Sequence, residues 1–68
     1  MKVVDARGLS CPEPVIRTKN ALQTGELPIE VWVDTVTSRE NVKRMAQKAG
    51  LQVHVEKMGD EFKLIITK

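Results

Sequence analysis

Cys11-Pro12-Glu13-Pro14 is the stretch that most narrows what this 68-residue chain can fold into. It holds the only cysteine and two of the three prolines. Proline has no N–H and a fixed φ, so a helix tolerates it only in the first turn. With Ser10 as N-cap, Pro14 would fall at the fourth helical position, where its missing N–H should bond the cap carbonyl. With Cys11 as N-cap, the prolines take the first and third positions, whose N–H groups have no helical partner. The spacing therefore predicts a helix opening at Pro12, with the thiol at its tip and at the positive end of its dipole.

The rest of the chain supplies elements around that start. Residues Lys2 to Ala6 predict a strand, and Arg7-Gly8-Leu9-Ser10 a turn into the cysteine. The first helix is expected from Pro12 to Gln23, burying Val15, Ile16 and Leu22 and stopping at Thr24-Gly25. Glu13 and Arg17 are spaced as a surface ion pair. Ile29, Val31 and Val33 alternate with Glu30, Trp32 and Asp34, the signature of a strand with one apolar face. Thr37 and Glu40 match a capping box, predicting a second helix over 38–49 with Val42, Met45, Ala46 and Ala49 as its buried stripe. Two alternating strands follow, Leu51 to Glu56 and Phe62 to Thr67, joined by a turn at Gly59-Asp60.

The order is β-α-β-α-β-β. Because the later strands have one apolar and one polar face, only one side of the sheet needs cover. The expected fold class is α+β: a two-layer α/β sandwich, a mixed four-stranded sheet with two helices on one face. Its open face would carry Glu30, Trp32, Gln52, His54, Glu56, Lys63 and Ile65. A chain this short is expected to form one domain over 1–68, burying about 60% of its unfolded surface. No signal peptide or apolar span stands out, so the expected setting is cytoplasmic, with no membrane contact. One cysteine cannot close an internal disulfide, and one cysteine with one histidine falls short of a structural zinc site. No metal and no cofactor are expected. A net charge of +2 is too small by itself to imply nucleic acid.

A thiolate is the nucleophile, and an ordinary thiol of pKa about 8.5 is only a few per cent ionised at pH 7. The two prolines remove most of the N–H donors that a helix start would offer, and Glu13 adds a nearby negative charge. His54, the only histidine, is expected on the open sheet face, away from Cys11, which argues against a cysteine-histidine pair. A dithiol is excluded because Pro14 stands where the second cysteine would be. What remains is chemistry in which Cys11 carries something handed to it, such as the outer sulfur of a persulfide.

At Asp5-Ala6-Arg7-Gly8-Leu9-Ser10-Cys11-Pro12-Glu13-Pro14 the chain resembles the TusA/SirA/YedF family, whose members open their first helix with D-x-x-G-x-x-C-P-x-P. A second segment fits as well: Val33-Asp34, then Thr37-Ser38-Arg39-Glu40-Asn41-Val42, closer to the YedF branch. Thr35-Val36 departs from the proline or other turn residues of many relatives. The resemblance implies the same two-layer fold and a sulfur carrier. Cys11 would accept persulfide sulfur from a cysteine desulfurase and relay it to an acceptor, towards tRNA thiolation, cofactor synthesis or selenium and sulfur metabolism. Any tRNA contact would be indirect. The residues describe a sulfur-transfer carrier more readily than a stand-alone enzyme, either as a whole protein or as a domain of a longer one.

Gly8, Pro12, Glu13 and Pro14 are then the candidates for presenting the thiol. Arg7, Arg17, Trp32, Arg39 and Lys43 are the candidates for binding partners. An alternative of another class uses the basic side of the second helix, with Arg39, Lys43, Arg44 and Lys48, as a regulatory or nucleic-acid-binding module.

Overall fold

Alternating apolar and polar side chains set each strand, and the apolar halves meet in one layer. The computed structural model describes residues 2–10, 12–25 and 27–68; Met1, Cys11 and Glu26 lie outside the described residues. The elements are β1 (Lys2–Asp5), α1 (Glu13–Leu22), β2 (Ile29–Val33), α2 (Val36–Lys48), β3 (Gln52–Met58) and β4 (Glu61–Thr67). The sheet order is β1-β2-β4-β3. β1 runs parallel to β2, and β4 is antiparallel to both β2 and β3. The sheet is therefore mixed, as expected.

The two central strands build the core. Ile29, Val31 and Val33 of β2 stand opposite Ile66, Leu64 and Phe62 of β4, and all six are buried. Val4 and Ala6 extend this layer at one edge, and the half-buried Val53 and Val55 of β3 at the other. Both helices pack on this side: α1 against β1 and β2, α2 against β3 and β4, and each against the other. Burial of these branched side chains, at about 25 cal/mol per Å² of apolar surface, is the main force holding the layers together.

Helix starts and faces differ from the sequence expectation in specific ways. α1 begins at Glu13 with Pro12, not Cys11, as its N-cap, so Pro14 falls at the second helical position. The first helical bond runs from Ile16 N–H to Pro12 O. This start suits the prolines equally well, since neither position needs an N–H. The face toward the sheet is Pro14, Thr18 and Ala21, whereas Ile16 is 45% exposed. Small residues let α1 sit close to β1 and β2, and the Thr18 hydroxyl is satisfied internally by donating to Pro14 O at 2.8 Å.

α2 starts at Val36, and its N-cap is Thr35 rather than Thr37. The Thr35 side chain accepts from Ser38 N–H at 3.0 Å, so the expected Thr37–Glu40 box does not cap the helix. Ser38, Val42 and Ala46 form the buried stripe; Met45 is only half-buried and Ala49 is exposed. At the other end Leu51 N–H bonds Ala46 O and Gly50 N–H bonds Gln47 O. That Schellman geometry needs a left-handed residue, which Gly50 supplies at φ +82°. None of the helices among the described residues is long and apolar enough to cross a membrane.

Candidate functional site

The segment that leads to Cys11 is tied down residue by residue. Ala6 N–H donates to Trp32 O at 2.8 Å, continuing the β1–β2 pairing one step past the strand. Arg7 N–H turns back to the Asp5 carboxylate at 3.1 Å. Gly8 takes φ +76°, a region that costs other residues strain, and its N–H donates to Asp34 Oδ2 at 2.8 Å. Leu9 packs against the core. Ser10 O accepts from Glu13 N–H at 2.9 Å, a bond that spans the two residues between them. Cys11 itself lies outside the described residues.

This pattern decides what the start of α1 can offer. Pro12 and Pro14 have no N–H, and the N–H of Glu13 is already used by Ser10 O. The first turn therefore has few N–H groups to offer. The Glu13 carboxylate lies 3.9 Å from Arg17 Nε, one turn along, which partly balances its charge. Pro14 is buried, while Pro12 and Glu13 are exposed. Of the candidates for presenting the thiol, Gly8 sets the turn, Pro12 caps the helix and Pro14 anchors its first turn.

Gly8, Leu9 and Ser10 form one wall of a cleft of about 410 Å³, and Asp34, Thr35, Thr37 and Ser38 form the other. The positive end of α2 thus faces the segment that precedes the cysteine. Asp34 and Thr35 were not among the sequence-derived site residues. Thr35 works as the helix cap of α2. No imidazole borders this cleft. His54 is on β3, the edge strand farthest from β1, and its Nε2 is 3.5 Å from Glu56 Oε2.

The partner-binding candidates fall on separate surfaces. Arg7 and Trp32 meet on the open sheet face, with the guanidinium 5.5 Å from the ring centroid. Arg7 is fully engaged there: its Nε and Nη2 hold the two Asp5 oxygens at 2.9 and 3.0 Å, and Nη1 reaches Glu61 at 3.2 Å. The Arg7 hydrogen bond, first of all, lowers the Asp5 pKa to about 2 and raises that of Arg7 above its ordinary value. Trp32 is half-buried, its Nε1 donating to Glu30 at 2.6 Å and Lys63 lying 5.9 Å from its ring. Lys63 also pairs with Glu56 at 3.1 Å and holds that carboxyl below its usual range. The face is thus carpeted by paired charges: Asp5, Trp32, Lys63 and Glu56 form one cross-strand row, and Val3, Glu30, Ile65 and His54 the next.

Arg17 lies on α1 beside β1. Arg39 lies on α2 with its guanidinium 4.7 Å above the Phe62 ring and 3.1 Å from Glu40, which makes it part of the packing over the core. Lys43 follows on the same helix, half-buried. The structure joins Arg7 to Trp32 and leaves Arg17, Arg39 and Lys43 apart from them.

Comparison with known proteins agrees with this geometry. The profile of a family described as "Sulfurtransferase TusA" matches residues 2–68. A Thermotoga maritima protein named "Putative sulfur carrier protein" is 40% identical over 70 residues, covering 96% of this chain and 87% of that one. A protein of Methanocaldococcus jannaschii with the same description is 39% identical over 72 residues, covering 100% and 95%. Among solved structures, the SirA-like protein of Desulfitobacterium hafniense matches with a TM-score of 0.88 at 37% identity, covering 98% of this chain and 96% of that one.

Proposed function

The chain belongs to the sulfurtransferase TusA family, and on that premise we propose that it is a sulfur carrier with Cys11 as the persulfide site. One observation carries the reading: the family match runs through the whole of residues 2–68, and the only cysteine stands within it, in Cys11-Pro12-Glu13-Pro14 at the opening of α1. The surroundings support carriage rather than catalysis. The cleft beside the segment has no imidazole, and the first turn of α1 has few donors to stabilise a charged intermediate.

The transfer needs little apparatus. The Cys11 thiolate attacks the outer sulfur of a persulfide on a donor protein, a cysteine desulfurase. A bond forms between Cys11 Sγ and that sulfur, the donor's S–S bond breaks, and the donor cysteine leaves as its thiolate. Sulfur in the zero-valent state moves and no external oxidant is consumed. A nucleophile on an acceptor protein then takes the terminal sulfur and returns Cys11 to the thiolate. The acceptor directs the sulfur towards tRNA thiolation, cofactor synthesis or selenium and sulfur metabolism. A cytoplasmic setting suits such a carrier, because a lone thiol stays reduced there.

Intact-protein mass spectrometry after incubation with a cysteine desulfurase and cysteine tests this. The expected result is a gain of one sulfur atom that reductant reverses and that Cys11→Ser abolishes. No gain with several active desulfurases, or the same gain in Cys11→Ser, overturns the reading.

A further inference from the structure

We propose that Asp34 is a positioning residue for sulfur transfer, acting as the clamp that holds the turn before Cys11. The inference rests on the carrier reading and adds to it a residue 23 positions further along the chain.

After Ala6 the chain leaves the sheet, and it must reach α1 within a few residues. Gly8 makes that departure possible with its positive φ, but its N–H then has no backbone partner among the described residues. Asp34 follows β2, the strand that pairs with β1 in parallel, and its Oδ2 accepts that N–H at 2.8 Å. The bond joins segments 26 residues apart in sequence. A charged acceptor makes it stronger than a neutral hydrogen bond. Glycine is the residue with the most backbone freedom to regain when such a bond is lost. Upstream, Arg7 N–H is held by Asp5, within the same segment. Downstream, Leu9 is held by the core and Ser10 O by Glu13 N–H, so the Asp34 bond is the hydrogen bond that ties this turn to the end of β2. Asp34 also precedes Thr35, the cap of α2, so the rigid start of that helix steadies the clamp. Transfer between two proteins requires sulfur atoms to meet in line, and loosening one partner's approach slows that step more than it alters the thiol itself.

Asp34→Ala and Asp34→Asn separate the acceptor from the charge, since asparagine keeps a side-chain carbonyl able to accept from Gly8 N–H. Transfer is followed in a single turnover from a desulfurase persulfide, beside alkylation of Cys11 by iodoacetamide and amide exchange at Gly8. Asp34→Ala is expected to slow transfer about tenfold, the factor that goes with one net hydrogen bond. Alkylation should stay within about twofold, since a small reagent needs no docking geometry. Asp34→Asn should restore most of the transfer rate. Gly8 exchange should be about tenfold faster in Asp34→Ala than in the wild-type protein or Asp34→Asn. Transfer at the wild-type rate in Asp34→Ala, or equal impairment in both variants, overturns the proposal. If the wild-type protein takes up no sulfur, the carrier reading fails on its own, and unchanged Gly8 exchange in Asp34→Ala then overturns the clamp independently.

Discussion

Replacing Thr35 with alanine removes the side-chain cap of α2 and tests where that helix begins. The Thr35 hydroxyl accepts from Ser38 N–H at 3.0 Å, and Ser38 is only 4% exposed, so water cannot readily take over the donor. N-cap threonine to alanine costs about 0.5–2 kcal/mol, and the burial of Ser38 places this one in the upper half, about 1–2 kcal/mol. A 68-residue domain has a total stability of about 3–10 kcal/mol, so the loss is a substantial share. Thr37→Ala is the contrasting variant. Thr37 is exposed and already inside the helix, where alanine is the better helix former by about 0.5 kcal/mol, so that change should be neutral or slightly stabilising. Urea denaturation followed by circular dichroism reads both. With a slope near 1 kcal/mol per molar, Thr35→Ala should lower the midpoint by about 1–2 M and Thr37→Ala should leave it in place or raise it. A larger loss in Thr37→Ala than in Thr35→Ala would refute the assignment and favour the capping box that the sequence suggests.

Two further outcomes follow from the core and from the charged face. Leu64 is fully buried in central strand β4 between Val31 and Val55, so Leu64→Ala should cost about 2–5 kcal/mol and leave the protein largely unfolded or close to it. Denaturation should show less than half that loss for Ile65→Ala on the opposite face, and a similar loss at both positions would mean that the core side is misassigned. Asp5 has a folded pKa of about 2 against an ordinary 3.8, so its pairing with Arg7 contributes stability that is complete above the unfolded pKa and is lost as pH falls through about 4 towards 2. Urea midpoints measured from pH 5 to pH 2 should fall less steeply in Arg7→Gln than in the wild-type protein, and parallel curves would show that the pair adds nothing.

Much of the fold was legible because strand alternation is local. Ile29-Val31-Val33 and Phe62-Leu64-Ile66 announce their buried sides with every second residue, and the two prolines place the start of α1 to within one position. What was not legible involves choices that only tertiary packing decides. Thr37-x-x-Glu40 and Thr35 compete to cap the same helix, and Thr35 wins because the chain turns directly after Val33 and Asp34. Ile16 looks like a core residue, but close approach of α1 to the sheet favours Pro14, Thr18 and Ala21, and Thr18 conceals its polarity within its own helix. The open-face position of Trp32 is legible from alternation, but the Arg7 and Lys63 side chains beside its ring are not. The Asp34–Gly8 bond spans 26 residues, and no local pattern signals it.

The scarcity of donors in the first turn of α1 bears on the thermodynamics of the proposed relay. With Pro12 and Pro14 lacking N–H groups and Glu13 N–H committed to Ser10, that turn has little means to favour a thiolate over a persulfide or the reverse. Exchange of one sulfur–sulfur bond for another of the same kind then gains little bias from that turn. In the proposed relay the direction of sulfur flow is then left to the donor, the acceptor and mass action. Consumption by the acceptor draws sulfur forward, and a stalled acceptor lets it return to the donor.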